Sequence, residues 1–67
     1  MKQVNSSNIH SIGYISETKT LMVLFKGGGI YNYHDVSAEK HEALMNASSH
    51  GAHLNQFIKN SHKFTKQ

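Results

Sequence analysis

The sequence predicts an α+β domain: a three-stranded antiparallel β-meander followed by two short α-helices packed on one face, in the order βββαα. Three observations lead there. Leu21–Phe25 and Ile30–His34 are rich in β-forming or alternating residues and are separated by Gly27-Gly28-Gly29, where glycine supplies positive φ without steric cost. The earlier segment Ile9–Ser16 reads as a first strand, joined to the second by the polar turn Glu17–Thr20. From Ser37 onward, apolar residues recur at spacings of three and four, the pattern of a helix face.

Register follows from the turns. A Gly27–Gly29 loop sets Phe25 opposite Tyr31 and Val23 opposite Tyr33. A tight turn at Thr18-Lys19 sets Tyr14 opposite Val23 and Ile12 opposite Phe25. One face then carries Ile12, Tyr14, Leu21, Val23, Phe25, Tyr31 and Tyr33, which is a core face. A slip of one residue would scatter that set across both faces. The opposite face carries Ile15, Met22, Leu24 and Ile30, with Lys26, Asn32 and His34 beside them.

The first helix is expected to start at Ser37, a good N-cap, with Glu39 and Glu42 favourable in its early turns. Its inward stripe is Ala38, His41, Leu44, Met45 and Ala47. Ser48-Ser49 breaks it, and Ser49 caps a second helix from about His50 to Asn60 with Leu54, Phe57 and Ile58 inward. Gly51 near its start points to a close backbone approach or a tight entry. Phe64 is expected to fold back as a last core contact.

Sixty-seven residues make one domain, residues 1–67. A chain this short buries only about 60% of the surface its unfolded form exposes, so its core is thin. With no cysteine, a disulfide scaffold and thiolate zinc sites are excluded. No apolar run approaches the ~20 residues that span a bilayer. Met1–Asn5 lacks the apolar core of a signal peptide, and a cytoplasmic location is expected.

The net charge is +3, and all seven basic residues are lysine. Arginine is the usual residue for bidentate grip on phosphate and guanine, so its absence weighs against a dedicated nucleic-acid reader. Every acid (Glu17, Asp35, Glu39, Glu42) precedes residue 43, while Lys59, Lys63 and Lys66 follow it. A basic C-terminal third is a footprint for a polyanion. The preferred reading is plainer: lysines near a helix C-terminus complement the macrodipole and keep the domain soluble, since charge runs are mostly solvated faces.

Several short stretches together resemble the KTSC domain. Ser6-Ser7-Asn8-Ile9, Gly13-Tyr14 and Leu21-x-Val23-x-Phe25 look like its opening, and Tyr31-Asn32-Tyr33 resembles its central YxY signature. Ala47-Ser48-Ser49-His50-Gly51, Leu54-Asn55 and Ile58-Lys59 resemble its C-terminal helical motif. The likeness runs from about Val4 to Lys63. It departs at Val36-Ser37, where the family commonly has proline after the valine, and near His41, where the family tends to have an aromatic residue. The family is named for its place at the C-terminus of some lysyl-tRNA synthetases, and it also occurs as free-standing bacterial and phage proteins. The resemblance implies this fold and points to RNA binding, the role suggested for the family.

Two binding surfaces emerge. Tyr31 and Tyr33 on one strand face could stack bases, as sheet aromatics do in RNA-recognition domains. Asn55 and Lys59 sit one helical turn apart, and with Lys63 and Lys66 they complete the nucleic-acid candidates. The plain alternative is that both tyrosines are packing. The second surface is Ile15, Met22, Leu24 and Ile30, which two short helices cannot cover; an apolar patch there suits a protein partner or a weak homodimer. No catalytic residues, cofactor or metal are expected. His50 and His53 share a helix face, but no third strong ligand lies near in sequence. Ser48 or Ser49 beside these histidines lacks the orienting acid and cleft of a triad. Gly27–Gly29 leads into a strand and lacks the Lys-Ser/Thr of a phosphate loop.

Overall fold

The chain, described over residues 1–67 in a computed structural model, turns between β3 (Thr20–Phe25) and β4 (Ile30–Tyr33) on two glycines at positive φ. Gly28 has φ 108° and Gly29 has φ 92°. The Phe25 N–H donates to the Gly29 carbonyl at 3.3 Å, so Gly29 belongs to the strand side and the loop is Lys26–Gly28. Val23 therefore faces Tyr31 and Leu21 faces Tyr33, not the Phe25–Tyr31 and Val23–Tyr33 pairs expected.

The turn from β2 (Ile9–Ile15) to β3 is also displaced. Ile15 pairs with Thr20, leaving the four-residue loop Ser16–Lys19 in which only Lys19 has positive φ, 54°. A two-residue hairpin at Thr18-Lys19 would need positive φ at its first position, which the β-branched Thr18 resists. As a result Ile12 faces Val23 and Tyr14 faces Leu21. Both corrections are shifts of two residues, so every side chain keeps its expected face. A bulge between Ile9 and Ser11 then turns Ile9 to the same side as Ile12.

The sheet has five antiparallel strands, not three. β1 (Lys2–Gln3) pairs with β2, and β5 (Phe64–Lys66) pairs with β4, giving the order β1-β2-β3-β4-β5. The edges of a bare three-stranded meander would leave rows of backbone N–H and C=O groups unpaired. The two chain ends return to cover them. Tyr31 faces Lys66, Asn32 faces Thr65 and Tyr33 faces Phe64.

Both helices pack on one face. α1 (Ala38–Met45) is N-capped by Ser37, whose hydroxyl accepts from the Lys40 N–H at 3.2 Å. Leu44 is buried and the His41 ring stacks on Tyr14, centroids 4.6 Å apart and 8° from parallel. Tyr14 in turn donates its hydroxyl to the Val36 carbonyl at 2.6 Å. Ala38 is exposed and contributes nothing to the inward stripe.

α2 begins as an α-helical turn, His50–His53, capped by Ser49, and continues as a π-helical stretch, Leu54–Ile58. The Lys59 N–H reaches back to the Leu54 carbonyl at 2.8 Å. Widening the turn brings both Leu54 and Ile58 into the core and rotates Phe57 outward. Phe57 is 50% exposed, against the ring of His53. It does not join the inward stripe, because the 3.6-residue period behind that expectation fails here. Gly51 is buried, and a Cβ there would lie 2.5 Å from the Asn8 side-chain oxygen. The core comprises Ile9, Ile12, Leu21, Val23, Tyr33, Val36, Leu44, Leu54 and Ile58. No helix is long and apolar enough to cross a membrane.

Candidate binding groove

On the face that carries the helices, Tyr33 of β4 is buried with Leu44, Leu54 and Ile58, whereas Tyr31 is half-buried and Phe64 of β5 is exposed. Period-two alternation puts Tyr31 and Tyr33 on this side of β4, and antiparallel pairing sets Lys66 and Phe64 beside them. Phe25 ends β3, and Lys59 follows the π-helical stretch. These elements enclose a groove of about 440 Å³ lined by Phe25, Tyr31, Tyr33, Phe64 and Lys59, with Gly27 and Gly28 as a lip.

The rings form a connected set. Phe25 meets Tyr31 edge-on at 5.3 Å and 89°, while Phe64 tilts against Tyr31 at 5.4 Å and against Tyr33 at 5.9 Å. Tyr33 is the floor, only 1% exposed, whereas Phe64 is 52% exposed at the rim. Two ammonium groups sit over the aromatic walls: Lys59 Nζ lies 5.9 Å from the Phe25 centroid and Lys66 Nζ 5.6 Å from that of Tyr31. Burial, and secondarily the neighbouring Tyr31, pushes the Tyr33 hydroxyl above the ordinary phenol range. The floor stays neutral, so the positive charge here is lysine's.

Of the sequence candidates, Tyr31, Tyr33 and Lys59 line the groove; Lys66 lies outside the lining, with its ammonium over the Tyr31 ring and its side chain beside Gly29. Asn55 is exposed on α2 and outside the groove wall. Lys63 precedes β5, where its carbonyl accepts from the His34 N–H at 2.9 Å, and its side chain is not part of the lining. Phe25 packs against the core as expected and also forms a wall of the groove. Phe64 was expected as a core contact but lies in β5, where its ring covers the tyrosines while half of it faces solvent.

The other candidates stand apart. A larger hollow of about 590 Å³ lies near Met1, Tyr14 and His41, but there the Tyr14 ring is already stacked on His41. Across the sheet, Ile15 is 39% exposed and Met22, Leu24 and Ile30 are half-buried. No three His, Asp or Glu side chains converge as metal ligands. Ser49 is engaged as the α2 cap.

The profile of the KTSC domain family matches residues 5–64. The chain belongs to that family. A crystal structure of a KTSC domain protein from Yersinia pestis superposes with a TM-score of 0.95 at 33% identity, covering 98% of this chain and 93% of that one. An uncharacterised protein of Stutzerimonas stutzeri is 42% identical over 64 residues, 92% of this chain and 90% of its own length. A lysine–tRNA ligase of Nostoc punctiforme is 41% identical over 58 residues, 87% of this chain but 10% of that protein. The central YxY of this KTSC domain is thus the floor and inner wall of the groove, Tyr33 and Tyr31.

Proposed function

We propose that this KTSC domain is a non-enzymatic binding module whose β4–β5 groove contacts single-stranded RNA. The observation that carries the reading is the pairing of aromatic walls with two lysine ammonium groups, Lys59 over Phe25 in the lining and Lys66 over Tyr31 next to it. Stacking a base on an aromatic side chain contributes about 1–3 kcal/mol. Each exposed ammonium–ring contact given up costs about 0.5–1 kcal/mol. Stacking outweighs that loss, and the released ammonium gains a phosphate. The absence of arginine fits contact by charge and stacking in place of bidentate base reading. The relative named lysine–tRNA ligase acts, by that name, with tRNA, and it contains a stretch similar to this chain; that supports RNA as the polyanion.

The test is fluorescence anisotropy of a labelled single-stranded RNA with the wild type, Tyr31→Ala and Lys66→Gln. The reading expects binding that weakens with salt and falls at least fivefold in either variant. Unchanged affinity in both would remove the groove from the account.

A second reading rests on the uncovered sheet face, where Met1 and Ile15 are exposed beside the half-buried Met22, Leu24 and Ile30. A protein partner or a weak homodimer would bury these residues. Sedimentation of wild type and Ile15→Asp at high concentration separates the cases: a monomer in both leaves self-association without support.

A further inference from the structure

Resting on the groove reading above, we infer that the site holds one unpaired nucleotide at a time, its base against the Phe25–Tyr31–Phe64 walls and its phosphate between Lys59 and Lys66. Size is the first reason. A volume of about 440 Å³ falls within the ~300–1,000 Å³ range of small-molecule sites, the size of one nucleotide and not of a duplex.

Ring orientation is the second. A run of stacked bases needs parallel, successive aromatic faces. Here Phe25 and Tyr31 are 89° apart, and Phe64 is tilted 41° from Tyr31 and 44° from Tyr33. Tyr33 has no free face. The geometry offers one base a corner and gives the next base nothing to continue on.

The lysines supply the third. Lys59, after α2, lines the groove and rests over Phe25, while Lys66, on β5 and outside the lining, rests over Tyr31. A phosphate at the groove mouth draws both off the rings toward itself, uncovering the walls as it is bound. The Gly27–Gly28 lip carries no side chains to obstruct the sugar, and a Cβ at either position would meet nothing within 4 Å.

The experiment titrates the full chain with adenosine, adenosine 5′-monophosphate, a single-stranded adenosine hexamer and a 12-base-pair RNA duplex, followed by NMR. The monophosphate is expected to bind at least tenfold more tightly than adenosine. The hexamer is expected to exceed the monophosphate by no more than about tenfold, and the duplex to bind at least tenfold more weakly than the hexamer. With one or two phosphates engaged, the slope of log K against log salt is expected between about −0.7 and −1.4. Gly27→Leu, at an open position, is expected to cut hexamer affinity at least tenfold with an unchanged melting temperature. Hexamer binding with no detectable monophosphate binding, equal duplex binding, or an indifferent Gly27→Leu overturns the single-nucleotide site while leaving RNA contact standing. Binding of none of the four probes overturns the RNA reading and this inference together.

Discussion

Lys66 stands directly across from Tyr31 in the β4–β5 pair, and its ammonium lies 5.6 Å from the centroid of the Tyr31 ring. This contact ties the last strand to the central tyrosine motif. Without β5 the YxY segment would be an open edge, and Tyr31 would lack both its charged cover and the Phe64 wall. The three residues of β5 therefore complete the sheet and the groove at once.

The two tyrosines are predicted to separate under mutation. Tyr33→Ala removes a fully buried ring, a loss of about 3–5 kcal/mol for an aromatic, comparable with the ~5 kcal/mol total stability of a small domain. It is expected to leave the chain largely unfolded by circular dichroism at 25 °C. Tyr31→Ala, half-buried, is expected to stay folded and lose RNA binding. Similar melts for both variants would contradict this division.

Tyr14→Phe tests the strand–helix junction. The Tyr14 hydroxyl donates to the carbonyl of Val36, a residue with no exposed surface. Removing the donor leaves that acceptor unpaired, a cost of about 1–3 kcal/mol. Urea unfolding should show the midpoint falling with an unchanged slope; a midpoint equal to wild type would mean that water satisfies the carbonyl.

Gly51 and Asn8 are predicted to be coupled. A Cβ at residue 51 would sit 2.5 Å from the side-chain oxygen of the exposed Asn8, so Gly51→Ala should destabilise modestly, by about 1 kcal/mol, as that side chain is displaced. In an Asn8→Ala background the same change should cost far less, since the obstructing group is gone and alanine favours a helix. Additive effects in a double-mutant cycle would show that the close approach is not the cause.

Acid sensitivity should trace in part to His41. Burial against Tyr14 holds its imidazole below the ordinary histidine range, with Glu42 pulling weakly the other way. The unfolded chain takes up this proton near pH ~6.5, while the folded chain resists it. Stability from His41 is thus full above that pH and is lost as pH falls through the folded value. Thermal melts between pH 5 and 7.5 should fall less steeply for His41→Phe than for wild type. Parallel curves would assign the acid response to other histidines.

Much of this arrangement is legible in the sequence, because side-chain parity is more robust than partner identity. Val23, Tyr31 and Tyr33 share the predicted face although both hairpins are shifted by two residues. The displaced pairs depend on which turn residue accepts positive φ, and Lys19 gives no such signal. β1 and β5 are invisible for a different reason: Lys2–Gln3 and Phe64–Lys66 are too short to show a period and become strands only beside β2 and β4. Phe57 is misplaced because a π-helical turn is set by the packing of Leu54 and Ile58, not by local preference. The groove inherits these limits. Its tyrosines and Lys59 follow from pattern, whereas Phe64 and Lys66 reach it through a strand that only the fold creates.

The most direct test is an NMR titration of the ¹⁵N-labelled domain with single-stranded RNA, mapping amide shifts onto the sheet. The account predicts shifts concentrated at Phe25, Gly27, Tyr31, Lys59, Phe64 and Lys66. Shifts centred instead on Ile15, Met22, Leu24 and Ile30, or no saturable shifts at all, would contradict it.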